Sequence, residues 1–116
     1  MSLLGTRYEV GGRTPGVGVD CVGVVLEIYK ASGNPLPDPL SVEGHGIVWS
    51  EAAKKFYRLT LEKPDPLDVV LIGSAERHVG VALEPGILHA HELAGVVMEE
   101  WHKFNAPFIV YRMKHD

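Results

Sequence analysis

Beyond Pro64 and Pro66 the chain breaks into five short runs rich in β-branched and apolar residues: Asp68–Ile72, Val79–Leu83, Ile87–His91, Gly95–Glu100 and Pro107–Met113. Gly73-Ser74, Glu84-Pro85-Gly86, Ala94-Gly95 and Asn105-Ala106-Pro107 separate them. Connections this tight leave no room for crossover helices, which need about a dozen residues, so the spacing predicts a meandering antiparallel sheet. Upstream, Val22, Val25, Leu26 and Tyr29 fall at i, i+3, i+4 and i+7, the stripe of a half-buried helix. Asp20 supplies an N-cap, and Gly33 followed by Asn34-Pro35 supplies a stop. Val22, Val24, Val25 and Ile28 favour a strand by propensity, so a helix over Cys21–Ala31 is predicted from pattern and caps against propensity. A second helix is predicted from a Ser50 cap to about Leu59, with Trp49, Ala53, Phe56 and Tyr57 as its apolar side. Gly5, Gly11, Gly12, Gly16, Gly18 and Pro15 mark an irregular N-terminal loop, and residues 33–48, with Pro35, Pro37, Pro39, Gly44 and Gly46, a second one. Helices first and strands afterwards imply an α+β architecture rather than alternating βαβ units.

The length, 116 residues, suits one compact domain, and residues 1–116 are read as one unit. Hydrophobic residues make up 46% and charged ones 22%, the balance of a globular chain. The formal charge of −4 comes with no cluster of Lys and Arg, so neither nucleic acid nor an anionic membrane is an expected partner. No apolar stretch approaches the roughly 18 residues that a membrane span needs. Met1–Gly5 lacks the basic and apolar regions of a secretory signal. The expectation is a product that is cytoplasmic on synthesis, leaves by a route not encoded here, or is a piece of something larger.

Cys21 is the single cysteine, which excludes an intrachain disulfide and leaves two readings: a packed core residue or a reactive thiol. A thiol in the first turn of a helix feels the helix dipole and the free N–H groups there, which favour the thiolate and can hold an oxyanion. On that ground Cys21 is expected to alkylate faster than a free thiol near neutral pH. His78 opens a strand-like run, and His89 and His91 stand two apart, so on a strand they face one side. If neighbouring strands carry them, His78 and His89 meet across the sheet, and a thiol with an oriented imidazole is the generalised triad. His45, His102 and His115 read as surface residues, while His91 is either a further donor at the site or an exposed strand end. One Cys with two or three His can also supply zinc ligands, with His89 and His91 as the best support, although CxxC, HxxxH and HExxH spacings are absent. The glycines before Cys21 match no phosphate-binding motif and read instead as places where backbone passes close to the site. No cofactor or metal is expected.

Gly5-Thr6-Arg7-Tyr8-Glu9-Val10-Gly11-Gly12 resembles the "G-T-x-Y-x-x-G-G" run of the NlpC/P60 peptidases, and Asp20-Cys21-Val22-Gly23 their "D-C-x-G" turn. Leu67-Asp68-Val69-Val70 is similar to "G-D-V-V", His78-Val79-Gly80-Val81 to "H-V-G-I", and Leu88-His89-Ala90 to "I-H-A". The motifs come in the family's order across nearly the whole chain. The run Gly11–Gly16 and the Trp101 region resemble the phage tail or phage cell-wall branch. The sequence departs from the pattern at Val22, where serine is usual, at Leu67, where glycine is usual, and at Val10, where an aromatic residue is common. The His78–His89 interval is also one residue short of the commonest spacing.

The resemblance implies a papain-like NlpC/P60 core, with an N-terminal nucleophile helix packed on a C-terminal antiparallel β-sheet. It implies Cys21 as nucleophile, His78 as general base and His89 as the third, orienting group. It also implies Tyr8 beside the nucleophile, positioning substrate or the oxyanion, and Asp20 capping the helix and holding a peptide amine. The implied reaction is hydrolysis of an amide in peptidoglycan stem peptides, commonly between D-glutamate and a diamino acid. Phage tail proteins would then be partners, and a virion tail or the host cell wall the place of action. The alternatives are a non-catalytic tail or assembly component on the same fold, a Cys/His zinc-binding module, and an acyltransferase or deacylase on a related thiol fold.

Overall fold

The computed structural model describes residues 3–36, 55–59, 64–72, 78–104 and 106–114. A small hairpin of β1 (Arg13–Thr14) and β2 (Gly18–Val19) leads directly into helix α1 (Cys21–Ala31). Then follow β3 (Phe56–Leu59), β4 (Val69–Ile72), β5 (His78–Ala82), β6 (Gly86–His91), β7 (Gly95–Glu100), a 3-10 turn (Trp101–Lys103) and β8 (Phe108–Met113). The last six strands form one antiparallel sheet in the order β3-β8-β4-β5-β6-β7. This is the α+β class that the sequence predicts, with the helix laid on β5 and β6 of the sheet.

Helix α1 has the predicted bounds. The Asp20 carboxylate accepts from the Gly23 N–H at 2.8 Å, closing the first turn. At the other end Ser32 N–H donates to the Ile28 carbonyl, and Gly33 turns the chain out at φ +87°. Strand propensity spans only about 1 kcal/mol, whereas burying one large apolar side chain contributes roughly 1.5–3 kcal/mol. Val24, Val25 and Tyr29 are all buried by the helical arrangement, so burial outweighs the preference of the valines.

The pleat gives the sheet two apolar faces. On the helix side, Val24 packs with Val19, Leu88, Ala90 and Val96, and Val25 and Tyr29 pack with Val79 and Val81. On the far side, Val70, Ala82 and Ile87 are covered by Trp101, Phe104 and Phe108, whose rings contact one another at centroid distances of 5.9–6.3 Å.

Two expectations change. Residues 56–59 are a strand, not the end of a helix: Phe56 to Leu59 pair with Met113 to Val110, and the Phe56 ring packs edge-on against Tyr29 at 5.7 Å. Pairing with a strand some fifty residues away overrides the local pattern. The beginning of that predicted helix, Ser50 onward, lies outside the described residues, as do His45, His115 and most of the 33–48 loop. The N-terminal loop is also more ordered than its composition suggests, because β1 pairs with β2 and residues 7–9 pair with Val19.

Candidate active site

The site is assembled where the N-terminus of α1 meets the ends of β5 and β6. Those strands pair at Val81↔Leu88 and Ala82↔Ile87, and beyond that short ladder lie Val79 and His78. The Val79 N–H directs a hydrogen bond at the Cys21 sulfur, which places the start of the helix against the residue next to His78. His78 Nε2 lies 2.8 Å from His89 Nδ1, with the rings edge to face. The two predicted histidines therefore meet, as the strand reading requires.

Gly80 makes that meeting sterically open. A Cβ at residue 80 would lie 2.8 Å from Ile87 Cγ2 and 3.0 Å from His89 Cβ, so any side chain here would press on the strand that carries His89. Close backbone approach also explains Gly12 and Gly23: a Cβ on Gly23 would sit 2.6 Å from the Gly12 carbonyl oxygen. Gly12 and Gly23 thus pack the N-terminal turn directly onto the first turn of the helix, whereas a Cβ at Gly5 or Gly16 would meet open space.

Glu99 is the residue that the sequence reading missed. His89 Nε2 lies 3.0 Å from Glu99 Oε1, extending the pair into a chain, His78–His89–Glu99. Register puts it there: Ile87 is opposite Glu99 and His89 opposite Val97, so Glu99 is the diagonal neighbour of His89 on the same face. Only a settled β6–β7 alignment reveals that relation.

Electrostatics of the group favour neutral forms. Burial pushes the Cys21 thiol up, against hydrogen bonds from backbone N–H groups, that of Val79 foremost; nearby Asp20 adds to the upward push. The expectation of a helix-stabilised thiolate is therefore corrected, because desolvation outweighs the N–H groups and the resting sulfur is a thiol. Burial likewise holds His78 below its ordinary value, helped by His89 and His91 and opposed by Glu92. Tyr8 is raised, first by burial and then by the neighbouring Cys21, Asp20 and Glu92, so its hydroxyl stays protonated and able to donate.

The remaining candidates divide. Tyr8 reaches the site because its backbone bridges Val19, two residues before Cys21. The Asp20 carboxylate accepts from Arg13 at 2.7 Å, from Gly23 N–H at 2.8 Å and from Gly11 N–H at 2.9 Å, so its oxygens are engaged in anchoring the helix start. The undecided His91 is a turn cap, its Nδ1 accepting from the Leu93 and Ala94 N–H groups at 3.1 and 3.2 Å. His102 is exposed, as expected of a surface residue. Among the described residues no group of three or more His, Cys, Asp or Glu is arranged around a metal position. His78 and His89 spend facing nitrogens on each other, a geometry that does not converge on an ion.

The chain has an NlpC/p60-like fold. It is similar to the crystal structure of the NlpC/p60 domain of the peptidoglycan hydrolase SagA, with a TM-score of 0.63 and 25% sequence identity over 93% of this chain and 88% of that one. No protein-family model and no curated protein sequence matches it.

Proposed function

We propose that the chain is a cysteine hydrolase acting on peptidoglycan, with Cys21 as nucleophile, His78 as general base and His89 as the group that orients His78. The observation that carries this reading is the hydrogen-bonded His78–His89 pair, with the N–H of Val79, the residue next to His78, directed at the Cys21 sulfur. The likeness to a peptidoglycan hydrolase domain supports the substrate class. The sequence resemblance supports the finer statement, cleavage of a stem-peptide amide between D-glutamate and a diamino acid. The likeness of Gly11–Gly16 and the Trp101 region to the phage branch supports a phage-tail setting.

Neutral His78 takes the thiol proton as the Cys21 sulfur attacks the scissile carbonyl, forming the C–S bond. The Cys21 and Val22 N–H groups of the first helical turn, which lie at the sulfur, and the Tyr8 hydroxyl stabilise the oxyanion. The imidazolium of His78 then protonates the leaving amine as the C–N bond breaks. Water, deprotonated by His78, hydrolyses the thioester and returns the thiol. Asp20 acts by capping the helix that presents the sulfur.

The test is digestion of defined muropeptides by the purified chain, with mass spectrometry to locate the cut. Wild-type protein is expected to cleave the stem peptide, and Cys21→Ala and His78→Ala, both folded, to lose turnover by about 10²–10⁴-fold or more. Cleavage by the His78→Ala protein at the wild-type rate would end the assignment.

A further inference from the structure

We propose that Glu99 is a positioning residue that determines which nitrogen of His78 is left free to act as the base, an inference that rests on the cysteine-hydrolase reading above. A carboxylate oxygen only accepts hydrogen bonds. Glu99 Oε1 is 3.0 Å from His89 Nε2, so that nitrogen carries the proton. A neutral His89 then has its lone pair at Nδ1, which faces His78 Nε2 at 2.8 Å. His78 must donate from Nε2, and the neutral ring keeps its lone pair at Nδ1. That leaves Nδ1 as the nitrogen free to take a thiol proton without breaking the chain.

Reversing the chain inactivates it. With a proton on Nδ1, His89 would donate to His78 Nε2, and His78 would carry its own proton at Nδ1, where the base is needed. Nothing in the two imidazoles themselves selects one direction. The Glu99 carboxylate does, through a charge-assisted bond, the stronger kind. His89 is only 6% exposed, so water has little access to substitute for it. The Glu99 side chain is 39% exposed, set at the sheet surface with one oxygen turned inward.

Long-range ¹H–¹⁵N NMR of the whole chain at neutral pH reports both ring tautomers directly, and kcat and KM on the muropeptide complete the test. Wild-type protein is expected to show Nε2–H on His78 and on His89. In Glu99→Leu, His89 is expected to become a tautomer mixture, with kcat reduced about 10–100-fold and KM nearly unchanged. A wild-type spectrum with the proton on Nδ1 of His89 overturns the proposal whether or not the chain cleaves anything. A folded Glu99→Leu protein with wild-type kcat overturns it as well. If both rings carry Nε2 protons while no muropeptide is cut, the positioning relation stands and the substrate reading falls.

Discussion

Arg13 donates to Asp20 across 2.7 Å, and this pair ties β1 to the N-cap of the helix that carries Cys21. Both side chains are largely buried, at 21% and 14% exposure, so the pair is better shielded from solvent than an ordinary surface ion pair. The same carboxylate caps the helix at Gly23 N–H. Asp20→Ala removes the cap and the ion pair together and is expected to cost about 2–4 kcal/mol. Urea denaturation measures it; a loss below about 0.5 kcal/mol, the smallest cap effect, contradicts the anchoring role.

Gly80→Ala tests the steric account of the histidine pair. The new methyl would meet Ile87 Cγ2 at 2.8 Å, the Leu88 carbonyl oxygen at 2.9 Å and His89 Cβ at 3.0 Å, and two of these belong to side chains or backbone with little freedom to yield. Strand β6 must shift, at a cost of about 1–3 kcal/mol. Displacing His89 from His78 is expected to lower kcat by roughly 100-fold, since misplacement by about an ångström has that effect. Wild-type turnover in this variant shows that the close approach is irrelevant to the site.

The pH profile follows from His78. Only the neutral ring can take the Cys21 proton, and burial above all holds its pKa below the ordinary 6.5, so the acid limb of kcat/KM is expected below pH 6.5. Stability moves in a linked way. The unfolded chain binds this proton more readily than the folded one, so the contribution is present in full above 6.5 and is lost as the pH falls from there to the lowered folded value. Denaturation midpoints of wild type and His78→Gln between pH 5 and 8, read as a difference, isolate it. A wild type that gains stability on acidification relative to the variant contradicts the sign.

Alkylation reads the sulfur directly. With its pKa pushed up by burial, Cys21 is expected to react with iodoacetamide more slowly than a free thiol at neutral pH and to accelerate as the pH rises past the ordinary thiol range. Mass spectrometry of timed samples gives the rates. Faster reaction than a free thiol would restore the helix-stabilised thiolate.

Leu67 holds a left-handed backbone, φ 76°, imposed from two sides: its N–H donates to the Ala82 carbonyl at 2.7 Å, and its carbonyl accepts from the Tyr29 hydroxyl. The conformation costs a branched side chain about 1 kcal/mol and glycine almost nothing. Leu67 is 37% exposed and returns little by burial. Leu67→Gly is expected to leave stability unchanged or raise it by up to about 1 kcal/mol. A loss of 1 kcal/mol or more, about the size of the strain itself, means that side-chain packing outweighs it.

What the sequence determined by itself is what local chemistry controls. Helix α1 was legible because its cap, stripe and stop all lie in the single stretch 20–33, and Asp20 and Gly33 act on backbone groups of the adjoining turn. The strand runs were legible from their composition and turns, with β7 at its observed bounds. Tertiary structure decided the rest. Residues 56–59 are a strand because β8 offers them an edge, and Glu99 belongs to the site because the β6–β7 register sets it diagonal to His89. The protonation of Cys21 followed the same rule: the helix start favours a thiolate, but the degree of burial, set by residues distant in the chain, reverses that preference. Register and desolvation are sums over contacts between separated segments, and no local pattern encodes such sums.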